Sequence, residues 1–302
     1  MKGDSRSRLG DARAENDKLL NSAFIQTEEY RVLLQHGSGY VVVGRRGTGK
    51  SALFCELRNA LRHGGGSWVV SLEPDGSEVA PIHAIVRRLS ARENYHAMQE
   101  VAQTLCRYMV LMEVACDALL RLPAAVARIE AGEKRILQDH STSWKQAGST
   151  PFERLYGIVA PFLNTITEPG LLLGELNRSL KYHKVLDITK QLLASSDRTY
   201  TILADRLDEG FEPGTLGVAF INGIVSAATD LSTVIPALRP TVFIRDNIFR
   251  SIQDQDSNYT RNIEGRVMRL HWDETNLLRL VARRMKIAFK WRVQASTLRR
   301  PT

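Results

Sequence analysis

The sequence predicts an α/β fold, a five-stranded parallel sheet covered by helices on both faces and carrying a large helical insertion. Three observations predict it. Tyr40-Val41-Val42-Val43 is a continuous apolar run that stops at Gly44, as an interior parallel strand buried on both faces does. Similar runs recur at Trp68 to Leu72, Tyr200 to Ala204, Thr241 to Ile244 and, more weakly, Arg266 to Leu270, with helical patterns between them. Finally, roughly 115 residues of mainly helical pattern separate the second run from the third, far more than one crossover helix needs.

Taken in order, the first 16 residues are polar and bury too little to order themselves, so they are expected to be loose. Asp17 to Gln35 reads as a helical lead-in with Phe24, Tyr30 and Leu33 available to pack. Ser51 to His63 reads as a helix closed by Gly64-Gly65-Gly66. In the long stretch from Pro81 to Ala194, Ala102, Leu105, Met109, Met112, Cys116 and Leu119 keep helical spacing, and Pro123, Pro151, Pro161 and Pro169 interrupt it. An amphipathic helix from Asp273 to Arg292 follows the fifth strand. These features divide the chain into a flexible lead (1–16), a first core segment (17–80), a helical insertion (81–195), a second core segment (196–272) and a basic helix with its tail (273–302).

Composition restricts the function classes. Hydrophobic residues make up 43% and charged residues 25%, ordinary values for a globular chain, which excludes collagen and global disorder. No apolar run is expected to reach the roughly 18 residues of a membrane span, since Arg107, Glu113, Asp117 and Arg121 interrupt the greasiest stretch, Leu105 to Leu122. Met1 to Lys18 lacks the apolar centre of a secretory signal. Cys55, Cys106 and Cys116 form no CxxC pair and suit a reducing compartment. The expectation is a cytoplasmic protein with no membrane partner. The net charge of +8 belongs to one segment: Arg279, Arg283, Arg284, Lys286, Lys290, Arg292, Arg299 and Arg300 lie beyond Thr275 with no acid among them. Taking those eight from 41 basic residues leaves 33, equal to the 33 acids, so the body is neutral.

Gly44-Arg45-Arg46-Gly47-Thr48-Gly49-Lys50-Ser51 matches the phosphate-binding pattern GxxxxGK[ST] between a strand and a helix, the context that pattern requires. Its glycines let successive backbone N–H groups turn toward phosphate oxygens, and the helix that begins near Lys50 and includes Ala52 offers its positive end. Lys50 would reach the outer phosphates of ATP and Ser51 would ligate Mg²⁺. Thr201-Ile202-Leu203-Ala204 then delivers Asp205, Asp208 and Glu209 at a strand's C-terminal end, where open parallel sheets bind ligands. Asp205 is expected in the Mg²⁺ shell, and Glu209 or Asp208 beside the attacking water. Glu73, after the second strand, is a rival for that last role.

Asp205-Arg-Leu-Asp-Glu209 resembles the D-G-L-D-E signature of NACHT-type ATPases in the wider STAND class, with Arg206 where the signature has glycine. Together with Val43 to Leu53 and Ile244-Arg-Asp-Asn-Ile-Phe249, it is similar to a group of bacterial P-loop ATPases often met near antiviral defence genes. The resemblance implies an additional-strand P-loop NTPase core with sheet order 5-1-4-3-2. It also implies that Arg245, at the end of the fourth strand, contacts the γ-phosphate as a sensor. Arg250, one turn further on, is a weaker candidate for a finger reaching into a neighbouring subunit.

Arg279, Arg283, Lys286 and Lys290 recur along one face of the last helix beside Leu278, Val281, Met285 and Ala288. That stripe is either solvated, a surface for non-specific nucleic acid or acidic protein, or a second nucleotide sensor. The seven histidines show no metal spacing, and the guanine-reading NKxD pattern is absent, which favours ATP by default. The leading expectation is an Mg²⁺-dependent ATPase acting as a homo-oligomeric switch or assembly platform in antiviral defence, with a separate effector protein. The alternative is a DNA-binding ATPase of the origin-recognition or transposition-regulator kind. A small-molecule kinase would not need the acidic pair.

Overall fold

The computed structural model describes residues 9–11, 13–35, 39–90, 94–163, 169–209, 214–257, 261 and 263–289. Five strands form one sheet: β1 (Tyr40–Gly44), β2 (Ser67–Leu72), β3 (Thr199–Ala204), β4 (Leu238–Arg245) and β5 (Val267–Arg269). Their order is β2-β3-β4-β1-β5 and every neighbouring pair is parallel. Read from the other edge this is 5-1-4-3-2, the expected order. Four strands fall within one residue of their expected places, and β4 begins three residues earlier than expected, at Leu238 instead of Thr241.

The continuous apolar runs have a direct cause. Val41, Val43, Ile202, Ala204, Val242 and Ile244 pack into one core, while Val42, Leu203 and Phe243 pack into a second on the opposite face. Both faces of the central strands are therefore dry, and alternating polar residues would be buried without partners.

The second, smaller face is covered by α1 (Leu20–Ala23), α2 (Glu28–Gln35) and α3 (Lys50–Gly64). The rings of Phe54 and Phe243 meet there edge-on, 5.8 Å between centroids. α3 ends as expected, with Gly65 at φ +69° as its left-handed cap. The larger face carries α4 (Gly76–Leu89), α5 (Tyr95–Arg121), α6 (Pro123–Val126), α7 (Ala131–Gln146), α8 (Pro151–Leu163), α9 (Pro169–Ser179) and α10 (Tyr182–Ala194), all between β2 and β3. Pro123, Pro151 and Pro169 each open a helix at its first residue, where no N–H is required. Pro81 and Pro161 lie inside α4 and α8. This helical stretch shares one continuous core with the sheet.

α11 (Thr215–Val234) links β3 to β4, and α12 (Asp246–Gln255) and α13 (Glu274–Ala288) follow β4 and β5. α11 corrects the reading of apolar runs: among the described residues it is the one helix long and apolar enough to cross a membrane by length and composition. Within the fold, 72% of that apolar window is buried. It lies along α5, and the two helices approach closely at Gly223, where a Cβ would stand 2.5 Å from that of Ala102. Apolar residues all round α11 are what a helix enclosed by protein on most sides requires.

Candidate functional site

Parallel register brings the strands' C-terminal ends to one edge. Gly44 of β1 stands opposite Arg245 of β4, and Asp205 follows directly after β3. From Gly44 the chain turns through Arg45 to Gly49 into α3. Gly47 and Gly49 both sit at φ +84°, a conformation that costs a side-chain-bearing residue about 1 kcal/mol or more. Lys50 Nζ donates to the carbonyl oxygens of Gly44 (2.8 Å) and Arg45 (3.0 Å), folding the loop around its ammonium group. Thr48 is held by its hydroxyl to the Arg45 carbonyl at 2.9 Å, while the Trp272 indole N–H donates to the Thr48 carbonyl at 3.1 Å.

Burial holds Lys50 below the ordinary lysine range, against the opposing pull of the Asp205 and Asp208 charges. Asp205 is 4% exposed, and burial raises its carboxyl above the usual range. It accepts hydrogen bonds from the Ser51 hydroxyl and the Arg206 backbone N–H, and the Lys50 charge also favours its ionised form. A hydroxyl and a buried carboxylate facing each other are hard oxygen donors, the type Mg²⁺ takes with phosphate and water. Among the described residues no cluster of three or more His, Cys, Asp or Glu is placed to hold a metal ion.

Lys50, Ser51, Asp205, Asp208, Glu209 and Arg245 line one cleft of about 490 Å³. Arg46, Gly47, Thr48, Gly49 and Ala52 line it too, whereas Gly44 and Arg45 take part through the carbonyls that hold Lys50. Arg245 and Asp208 form an ion pair, joining the expected sensor to one of the two expected water-positioning acids. The other acid, Glu209, lies 3.6 Å from the Arg206 guanidinium. Glu73 does not reach the cleft and is paired with Arg58 of α3. Arg250 lies outside it, paired with Asp246 at 3.0 Å; Asp246 also accepts from Arg269.

The remaining walls carried little signal in the sequence. The N-terminal segment lines the cleft with Glu15, Asp17, Leu20, Phe24 and Ile25, including part of the polar lead expected to be loose. Facing them are Trp272 and, from α13, Leu277, Leu280 and Arg284. Arg284 Nη2 donates to Asp17 at 2.6 Å and its Nη1 to the Leu9 carbonyl at 2.8 Å. Arg283 donates to the carbonyls of Ser22 (2.7 Å) and Phe24 (3.1 Å). The basic stripe is thus partly turned inward, with Arg283 clamping the N-terminal segment. Lys290, Arg292, Arg299, Arg300 and residues 1–8 lie outside the described residues.

The crevice is lined by cationic, acidic and apolar side chains together, with Trp272 against the Thr48–Gly49 turn. No protein-family model matches the chain and no solved structure matches it. It is 35% identical over 285 residues to the "Putative transposon gamma-delta 80.3 kDa protein" of Escherichia coli (strain K12), covering 93% of this chain and 40% of that protein. It is also 62% identical over 48 residues to "Allergen Alt a 2" of Alternaria alternata, 16% of this chain and 25% of that one. The chain therefore spans well under half the length of the curated relatives it matches.

Proposed function

We propose that this chain is an Mg²⁺-dependent ATP hydrolase of the additional-strand P-loop class, acting as a nucleotide-driven switch. One observation carries the reading: Lys50, Ser51, Asp205 and Arg245 come from three different strand ends and meet in a single cleft. The sheet order supports the additional-strand assignment, because β4 stands between the loop-bearing β1 and the acid-bearing β3.

In this reading the loop amides and Lys50 bind the phosphates, while Ser51 and Asp205 would hold Mg²⁺, which would supply neutralising charge to the phosphate. Glu209 takes a proton from water as its oxygen bonds to the γ-phosphorus. The bond to the bridging oxygen breaks, and ADP leaves with that electron pair. Arg245 exchanges Asp208 for the γ-phosphate, so hydrolysis returns it to Asp208 and changes the contact between β4 and the loop after β3. Steady-state phosphate release tests this: Lys50→Ala and Glu209→Gln should each lower the rate at least about 100-fold. Wild-type rates in both variants would refute the site.

The name of the longer Escherichia coli relative favours a DNA-associated role in transposition over the antiviral-defence role, which rests on motif resemblance alone. Arg279 and Lys286, on the exposed side of α13, would supply backbone phosphate contacts. Duplex DNA should then stimulate hydrolysis at low salt and lose its effect steeply as salt rises. Indifference to DNA at low salt returns the choice to an assembly platform with a separate effector, tested by co-purification.

A further inference from the structure

β5 runs beside β1, and the Leu270 N–H donates to the Val43 carbonyl at 2.7 Å. That bond carries the parallel pairing one residue past β5, to the level where β1 ends. Shortly afterwards Asp273 opens α13 as its N-cap, accepting from the Asn276 N–H at 2.6 Å. Trp272 lies between these two fixed points, half-buried on the cleft wall. Its indole N–H donates to the Thr48 carbonyl at 3.1 Å, and its Cζ2 stands 3.8 Å from where a Cβ on Gly49 would be. The indole therefore meets the loop at the Thr48–Gly49 peptide.

That peptide is one that turns over at little cost. Glycine follows it, and glycine populates positive and negative φ about equally, so no Cβ fixes its orientation. A trans peptide carries its C=O and N–H on opposite edges, so whatever takes the Thr48 carbonyl turns the Gly49 N–H the other way. Other parts of the loop are held by the loop itself. Thr48 gives its N–H and its hydroxyl to the Arg45 carbonyl, at 3.3 and 2.9 Å, and Lys50 holds the carbonyls of Gly44 and Arg45. The Gly49 carbonyl accepts from the Leu53 N–H at 2.9 Å, and Gly49, as N-cap of α3, supplies no side-chain cap. The Gly49 N–H thus faces away from the indole at the positive end of a helix.

We propose that Trp272 is a positioning residue for phosphate binding: by holding the Thr48 carbonyl, its indole N–H locks the Thr48–Gly49 peptide with the Gly49 N–H toward the anion. The inference rests on the nucleotide-binding part of the function proposed above. With the carbonyl released, the peptide spends part of its time turned over, presenting a carbonyl oxygen where a phosphate oxygen would sit. Only the unturned fraction binds, so the apparent affinity falls by that fraction. The loss falls on the phosphate chain, which separates this role from stacking of the indole on a nucleobase.

The test is calorimetry with Mg²⁺ on wild type and Trp272→Phe, which keeps a ring and removes the donor. Two ligands are titrated, a non-hydrolysable ATP analogue and inorganic tripolyphosphate, which has no base. Trp272→Phe should weaken both about fivefold, the scale of one neutral hydrogen bond. A second arm needs no variant. In wild-type protein carrying isotope-labelled glycine, tripolyphosphate should move the Gly49 amide proton downfield, as a hydrogen bond to a phosphate oxygen does. A loss confined to the ATP analogue overturns the inference, because the indole then meets the base. Equal affinities in the two proteins overturn it too, as does bound tripolyphosphate that leaves the Gly49 resonance in place. Wild-type protein that binds neither ligand overturns the nucleotide reading and this inference with it. Binding that is lost in Lys50→Ala but unchanged in Trp272→Phe overturns the inference alone.

Discussion

Replacing Arg284 with alanine should release the N-terminal segment from the cleft. Asp17 has a side chain only 2% exposed, against 24% for Arg284, and the two meet at 2.6 Å. Removing one partner of a fully buried ion pair costs about 3–5 kcal/mol, mostly by stranding the other charge. Here water reaches the guanidinium, and Asp17 retains the Leu19 N–H, so about 2–3 kcal/mol is the better figure. The segment is short and can open without the rest of the fold, which makes native-state hydrogen exchange the appropriate assay. The amides of Ala23 and Phe24 donate to Leu19 and Leu20 at 2.8 Å and report the opening. In Arg284→Ala they should exchange about 30- to 140-fold faster. Asp17→Asn keeps the acceptor without the charge, so Arg284→Ala in that background should cost about 1–2 kcal/mol less than in wild type. Exchange in Arg284→Ala within twofold of wild type, or strict additivity in the cycle, would refute the clamp.

On the proposed reading, Lys50→Ala should weaken Mg²⁺–ATP binding at least about tenfold, read by calorimetry, because a phosphate in the loop would lose its charged partner. Asp205→Asn should abolish hydrolysis yet raise the unfolding temperature at neutral pH. Burial raises the folded-state pKa of Asp205, so its ionised form is less favoured in the fold than in the unfolded chain. The stability advantage of the asparagine variant should disappear as pH falls into the unfolded carboxylate range, where the wild-type side chain is protonated too. Thermal melts across pH follow this, and an advantage that grows on acidification would contradict it. Gly223→Ala should destabilise the fold by about 1–3 kcal/mol in urea titration, since its methyl group would meet the backbone of α5, with Gln103 N only 2.8 Å away.

The sheet was legible because burial on two faces leaves an unbroken apolar run, and Val41 to Val43, Ile202 to Ala204 and Val242 to Ile244 each show one. The loop from Gly44 to Ser51 and the acids from Asp205 to Glu209 stood out in the sequence by residue type and spacing, and the fold brings residues of both to one cleft. The far wall of the cleft was not. Asp17, Phe24, Leu277 and Arg284 are ordinary residues in ordinary patterns, and only the fold brings the first segment of the chain against α13. The inward turn of Arg283 was equally hidden, because periodicity gives the face of a helix and not what lies against it. Apolar character all round α11 went unread because Ser226, Thr229 and Asp230 break the run in sequence while α5 closes over it in space. Arg206 was legible as a departure from a glycine signature, but its pairing with Glu15 needed three-dimensional structure.

The most direct test is calorimetric titration of wild-type protein and Lys50→Ala with a non-hydrolysable ATP analogue, each with Mg²⁺ and with EDTA. One molecule should bind per wild-type chain, more tightly with Mg²⁺, and Lys50→Ala should lose most of that affinity. Equal binding by both proteins, or none by wild type at millimolar analogue, would mean that the cleft at the ends of β1, β3 and β4 does not hold a nucleotide.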